Sequence, residues 1–154
     1  MNHSAIEQYE QKPHVVNEAV KNLMKDQLLA HPVPGTWSIQ EIVIHLVDSD
    51  LVFADRMKRV IAEENPTLIG FDEAKWAAAM GYADQSFQNA LAMLDLNHKQ
   101  MARILHKLPE EALQRKGTHN QAGEITLLQL IEGANNHIEH HLKFLREKRK
   151  MLGK

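Results

Sequence analysis

A chain of 154 residues can bury one sizeable core but falls short of two ordinary domains, so a single domain over residues 1–154 is expected. The absence of cysteine excludes disulfides, thiolate nucleophiles and thiolate metal sites, and leaves nitrogen and oxygen to hold any metal. A formal net charge of −2, from 18 Lys and Arg against 20 Asp and Glu, lacks the basic surplus of a nucleic-acid binder.

No run approaches the roughly 18 uncharged apolar residues of a membrane span. The start, Met1 to Gln8, has no basic region followed by an apolar core. The expectation is a soluble, cytoplasmic protein with no membrane partner. Helical periodicity dominates, and Val, Ile and Thr do not collect into alternating short runs.

The first predicted helix starts at about Pro13, acceptable in a first turn, runs through Val16, Ala19, Leu23 and Leu28, and stops before His31-Pro32. The second follows Trp37 and continues to about Glu64, ahead of Asn65-Pro66. Ser38 and Glu41 form a capping box at its start, with Trp37 and Ile42 as the matching hydrophobic staple. On it, His45 shares the apolar stripe with Ile42, Leu46, Phe53 and Val60. A short extra helix at Phe71 to Ala77 bridges the second and third, because that connection is too long for a bare loop.

The third long helix covers about Asp84 to Leu108, with Phe87, Leu91, Leu94, His98, Met101 and Leu105 on one face, and ends at Pro109. The fourth spans about Thr126 to Lys150, opened by a second capping box of Thr126 and Gln129. Its inward stripe contains Leu127, Leu130, Ile131, Ala134, His137, Ile138, His141 and Leu145, while His140 falls on a flank facing water. The basic residues near its end suit a solvated helix terminus.

Two imidazoles one helical turn apart on an inward face are what a divalent metal inside a bundle requires. A lone stripe histidine such as His45 is more often a hydrogen-bonded core residue. Three stripe histidines on two helices that can be neighbours change the reading: burying three uncompensated imidazoles costs several kcal/mol, so His45, His137 and His141 are expected to share one cation. Three ligands leave a coordination position open for water or substrate, where the metal would lower the pKa of a bound water or thiol. Asp48, Asn136 and Glu139 are the candidates to accept from the ligands' other ring nitrogens. One geometric condition applies. Counted from the N-caps, His45 is seven residues along its helix and the pair eleven and fifteen. Parallel helices would therefore need a shift of roughly 6 to 12 Å.

Other polar residues on the core faces carry weaker signals. His98 reads as a buried polar residue before a fourth ligand or a general base. Arg56 lies roughly 16 Å beyond His45 on the same face, too far to touch the same metal, and is expected to bridge to another helix rather than clamp a substrate anion. His119, in a loop, reads as solvated before it reads as reaching the mouth of the site.

The order Trp37-Ser38-Ile39-Gln40-Glu41, then His45, then His137 with His141, resembles the DinB/YfiT-like family over nearly the whole chain. The run from Gly117 through His119 to Thr126 resembles the segment leading into that family's last helix. The resemblance implies an all-α four-helix bundle, often a homodimer, holding zinc or nickel through the three matched histidines. Some relatives are thiol-dependent transferases or isomerases using a low-molecular-weight thiol such as bacillithiol or mycothiol; others are named metal-dependent hydrolases. The expected function is a metal-dependent thiol S-transferase or hydrolase acting on a small electrophilic substrate. The alternative is a non-enzymatic, stress- or damage-induced metal-binding protein whose cation is structural.

Overall fold

The computed structural model describes residues 3–154. Four long helices form the bundle: α1 (His3–Val20), α3 (Ile39–Ala62), α5 (Phe87–Leu105) and α6 (Leu127–Met151). Two short ones lie between them, α2 (Lys25–Leu29) and α4 (Glu73–Ala79). No helix among the described residues is long and apolar enough to cross a membrane.

Each long helix packs against two neighbours. Both α1 and α3 contact α5 and α6, so α1 sits diagonally across the bundle from α3, and α5 from α6. The contacts also set the directions. Ala5 meets Asn135 and Ala19 meets Arg149, so α1 and α6 run parallel. Asp50 meets Asn97 and Lys58 meets Gln100, so α3 and α5 run parallel too. Lys148 reaches Thr36 just ahead of α3, while Phe53 further along α3 packs beside His137, so α3 and α6 are antiparallel. Parallel α3 and α5 require the chain to travel back along the bundle between them. That return is residues 63–86, and it carries α4.

The second, third and fourth long helices lie close to where periodicity places them, and the short helix close to its expected place; the first does not. It begins ten residues before the expected start, because Ile6 and Tyr9 continue the core stripe of Pro13, Val16 and Val20 upstream. Pro13 is therefore internal. A proline withholds the N–H that would bond the carbonyl four residues back, here that of Tyr9. His98 Nδ1 on α5 donates to that freed carbonyl at 2.6 Å. The helix also ends early, at Val20, where Asn22 adopts a left-handed φ of 62° and Arg149 Nη1 caps the carbonyls of Ala19 and Lys21. Lys148 is buried, donating to Thr36 Oγ1 at 2.5 Å, so the basic end of α6 is partly a packing element and not only a solvated terminus.

Both capping boxes form, Ser38 with Glu41 and Thr126 with Gln129. The unexpected element is a three-stranded sheet: β1 (Thr67–Leu68) pairs parallel to β2 (Lys116–His119), which pairs antiparallel to β3 (Gly123–Thr126). Strands of two to four residues are too short to show an alternating pattern. The sheet ties the start of the return segment to the hairpin ahead of α6. Gly117 in β2 allows this close approach, since a Cβ there would lie 2.9 Å from Leu68 Cγ and 3.1 Å from the Pro66 carbonyl oxygen.

The apolar core has two parts. One gathers Val16, Val20, Leu94, Ile138 and Leu142 with the first half of α3; the other gathers Ile6, Tyr9, Met57, Met101, Leu105 and Leu130. Buried polar residues His45, Ser49, Asp50 and His98 belong to neither cluster.

Candidate metal centre

The structure brings His45, His137 and His141 together: one ring nitrogen from each lies within 4.8 Å of the others. His45 Nε2 is 3.1 Å from His137 Nε2, and the His137 and His141 ring centroids are 4.7 Å apart. The depth mismatch counted from the N-caps disappears because α3 and α6 are antiparallel, so a site in the first third of α3 meets one at the middle of α6.

His45 is fully buried, and its Nδ1 has no hydrogen-bond partner among the described residues. Burial, with the neighbouring His141 and His137, pushes the His45 pKa down from 6.5 to about 3. Burial, with His137 and His140, lowers that of His141 to about 4. His137 is lowered too, chiefly by burial, against an opposing pull from Asp50. All three rings are therefore neutral near pH 7, with lone pairs available. Neutral imidazoles converging at this spacing fit a divalent cation, which needs unprotonated nitrogen donors.

None of the three expected acceptors supports the ligand rings. Asp48 accepts from Tyr82 Oη at 2.6 Å, Glu139 pairs with Lys12, and Asn136 is exposed. Aromatic packing orients the rings instead. Trp37 lies over His45 with centroids 4.7 Å apart and also stacks at 6.4 Å on His141, while Phe53 lies 6.2 Å from His137. His140 is exposed, edge-on to His141, as its flank position predicts.

Sequence reasoning missed Glu73. Its carboxylate sits 3.8 Å from both His45 Nε2 and His137 Nε2, and burial raises its pKa above the usual carboxylate value. It is placed by α4, whose N-cap Asp72 accepts from the Lys75 N–H. The capping pair was visible in sequence, but the position of α4 over the histidines follows from the return path of the chain.

The remaining candidates are now placed. His98 is fully buried away from the triad, with Nδ1 on the Tyr9 carbonyl and Nε2 only 2.5 Å from Asp50 Oδ2, an approach too bent for a linear hydrogen bond. It is a core residue with partners of its own, stacked on Tyr9 at 3.9 Å. Arg56 makes no ion pair to another helix; its Nη2 donates to the Ile69 carbonyl at 2.7 Å. His119 is buried rather than solvated.

Two cavities flank the histidines. A pocket of about 470 Å³, lined by Trp37, Ile42, Phe144 and Met151, reaches His141. A recess of about 180 Å³ reaches His137 from the side of Arg56 and His119.

Comparison with known proteins identifies relatives of the same fold. The sequence profile of the DinB superfamily matches residues 8–145. A Bacillus cereus (strain G9842) protein provisionally named a metal-dependent hydrolase is 32% identical over 147 residues, 96% of this chain and 84% of its own length. Another of the same provisional name, from Oceanobacillus iheyensis, is 28% identical across 94% of this chain and 83% of its own. Among solved structures, YfiT from Bacillus subtilis, described as a probable metal-dependent hydrolase with an unusual four-helix bundle topology, superposes with a TM-score of 0.91 at 25% identity. It covers 99% of this chain and 87% of its own. A mycothiol-dependent maleylpyruvate isomerase shares the fold, at a TM-score of 0.75 and 10% identity over 94% of this chain and 60% of its own. The shared profile, the identity along nearly the whole chain and the matching bundle lead to one conclusion: this chain belongs to the DinB superfamily.

Proposed function

We propose that His45, His137 and His141 hold one divalent metal ion, zinc or nickel, and that the protein is a metal-dependent enzyme transferring a thiol or water to a small electrophile. The observation that carries this reading is the convergence of three neutral, largely buried imidazole nitrogens. A cation bound there supplies Lewis acidity that makes a thiol or water nucleophilic near neutral pH.

The surrounding residues supply the rest. Trp37 and Phe53 fix the ring planes and exclude water from the His45 side. Glu73, half exposed and beside two of the rings, stands where it can accept a proton from the incoming nucleophile. The apolar pocket at His141 suits the body of an electrophile. Thiol transfer is favoured over plain hydrolysis because two separate cavities of different character reach the histidines, one at His141 and one at His137, one for each of two reactants.

Metal analysis of the purified protein, followed by assay of aryl halides, epoxides and esters with and without added thiol, tests the proposal. One bound metal per chain and thiol-dependent turnover are expected. Turnover without thiol would make the protein a hydrolase. Bound metal with no turnover, and a large loss of thermal stability on chelation, would assign the cation a structural role. The homodimer implied by the family belongs to the same proposal, and sedimentation equilibrium checks it.

A further inference from the structure

Arg56 is the buried charge the metal centre leaves unexplained. Its side chain is only 9% exposed, its guanidinium lies 5.6 Å from the Phe53 ring centroid, and it lines the recess that reaches His137. One donor is used by the Ile69 carbonyl, and Nε has no partner. The adjacent Asp55 is bonded to Arg59 instead. Burial lowers the Arg56 pKa against a weaker opposing pull from Asp55, and a guanidinium keeps its proton at any ordinary pH. A buried cation with no carboxylate among the described residues bonded to it is costly to maintain.

His119 adds a second donor to the same wall. Its Nδ1 accepts the backbone N–H groups of Gln121 and Ala122, both at 3.1 Å, so the ring proton must be on Nε2. No residue among those described accepts from it. Glu73, also on the wall, is turned to the histidines and makes no ion pair with Arg56. The recess thus offers a cation and a neutral N–H next to a candidate metal ligand.

We propose that this recess binds the carboxylate of a small thiol cosubstrate through Arg56 and His119, holding its sulfur toward the three-histidine centre. The inference rests on the thiol-transfer reading above and gives it a substrate class: a thiol bearing a carboxylate a few bonds from sulfur. The electrophile is left the apolar pocket at His141. Size agrees with the assignment, since about 180 Å³ accommodates a small polar group and not an extended apolar one.

The test uses the full-length protein loaded with cobalt(II), whose absorption reports thiolate binding, titrated with mercaptoacetate and with 2-mercaptoethanol. Mercaptoacetate is expected to bind at least about tenfold more tightly, the effect of one charge-assisted contact. Arg56→Gln is expected to reduce the ratio to about twofold, and Arg56→Lys to retain part of it. A preference that survives Arg56→Gln would belong to chelation of the metal and overturn the inference, as would equal affinities in the unaltered protein. Acetate competition needs no variant: acetate should weaken mercaptoacetate binding and spare 2-mercaptoethanol, and equal weakening of both would overturn the subsite. If neither thiol perturbs the cobalt spectrum, the thiol reading itself fails and the subsite falls with it.

Discussion

Two sets of histidine point into the bundle, and they are held there on different terms. His98 has partners of its own, the Tyr9 carbonyl accepting from Nδ1 and the Asp50 carboxylate beside Nε2. His45, His137 and His141 have chiefly one another, at distances that suit a shared ion and no rigid carboxylate behind them. An imidazole on an apolar helix stripe is ambiguous by itself. What separates a structural residue from a ligand is whether its partners can accept a proton or only share a lone pair.

The contrast can be broken most sharply by removing one member of each set. His137→Ala should abolish stoichiometric metal uptake, measured by elemental analysis, and should erase any difference in melting temperature with and without chelator; a variant that retains one metal per chain would refute the assignment. His98→Phe should leave metal content intact yet destabilise the fold by about 3 kcal/mol in urea titration, because Asp50 loses a close partner and the Tyr9 carbonyl its donor. Loss of metal in that variant would place His98 in the centre after all.

Acid sharpens the comparison. The unfolded imidazoles take up protons near pH 6.5, whereas folded His45 resists until about pH 3 and His141 until about pH 4. Because both folded values are depressed, the metal-free protein should be fully stable above about pH 6.5 and weaken progressively as pH falls toward 4. The slope is up to about 1.4 kcal/mol per pH unit from buried His45 and less from His141, which water reaches. Urea midpoints at several pH values check this; a flat profile would mean that the rings are not held neutral. The smallest change is expected from Glu73→Gln, which should weaken metal affinity by no more than about tenfold while slowing turnover.

The convergence of His45, His137 and His141 was legible in the sequence because spacing on a helix determines which face a residue shares, and faces are what a bundle buries. The starts of α3 and α6 were legible for a related reason, since a capping box is a local device complete within four residues. Glu73 and the recess were not, because they depend on how a returning segment crosses the bundle, and that follows from helix directions no local pattern encodes. Arg56 stood out as a misfit on its stripe, but only coordinates reveal that no carboxylate answers it. The early start of α1 was hidden by Pro13, which reads as a helix beginning until its missing hydrogen bond is seen to be replaced by one from His98.

The return path between the two parallel helices has an evolutionary consequence. Residues 63–86 bring Glu73 and part of the recess wall to the histidines, yet α4 buries none of its residues completely. Insertions or exchanges in this strap change what surrounds the imidazoles while the four long helices stay as they are. The surroundings of the three rings can therefore drift independently of foldability.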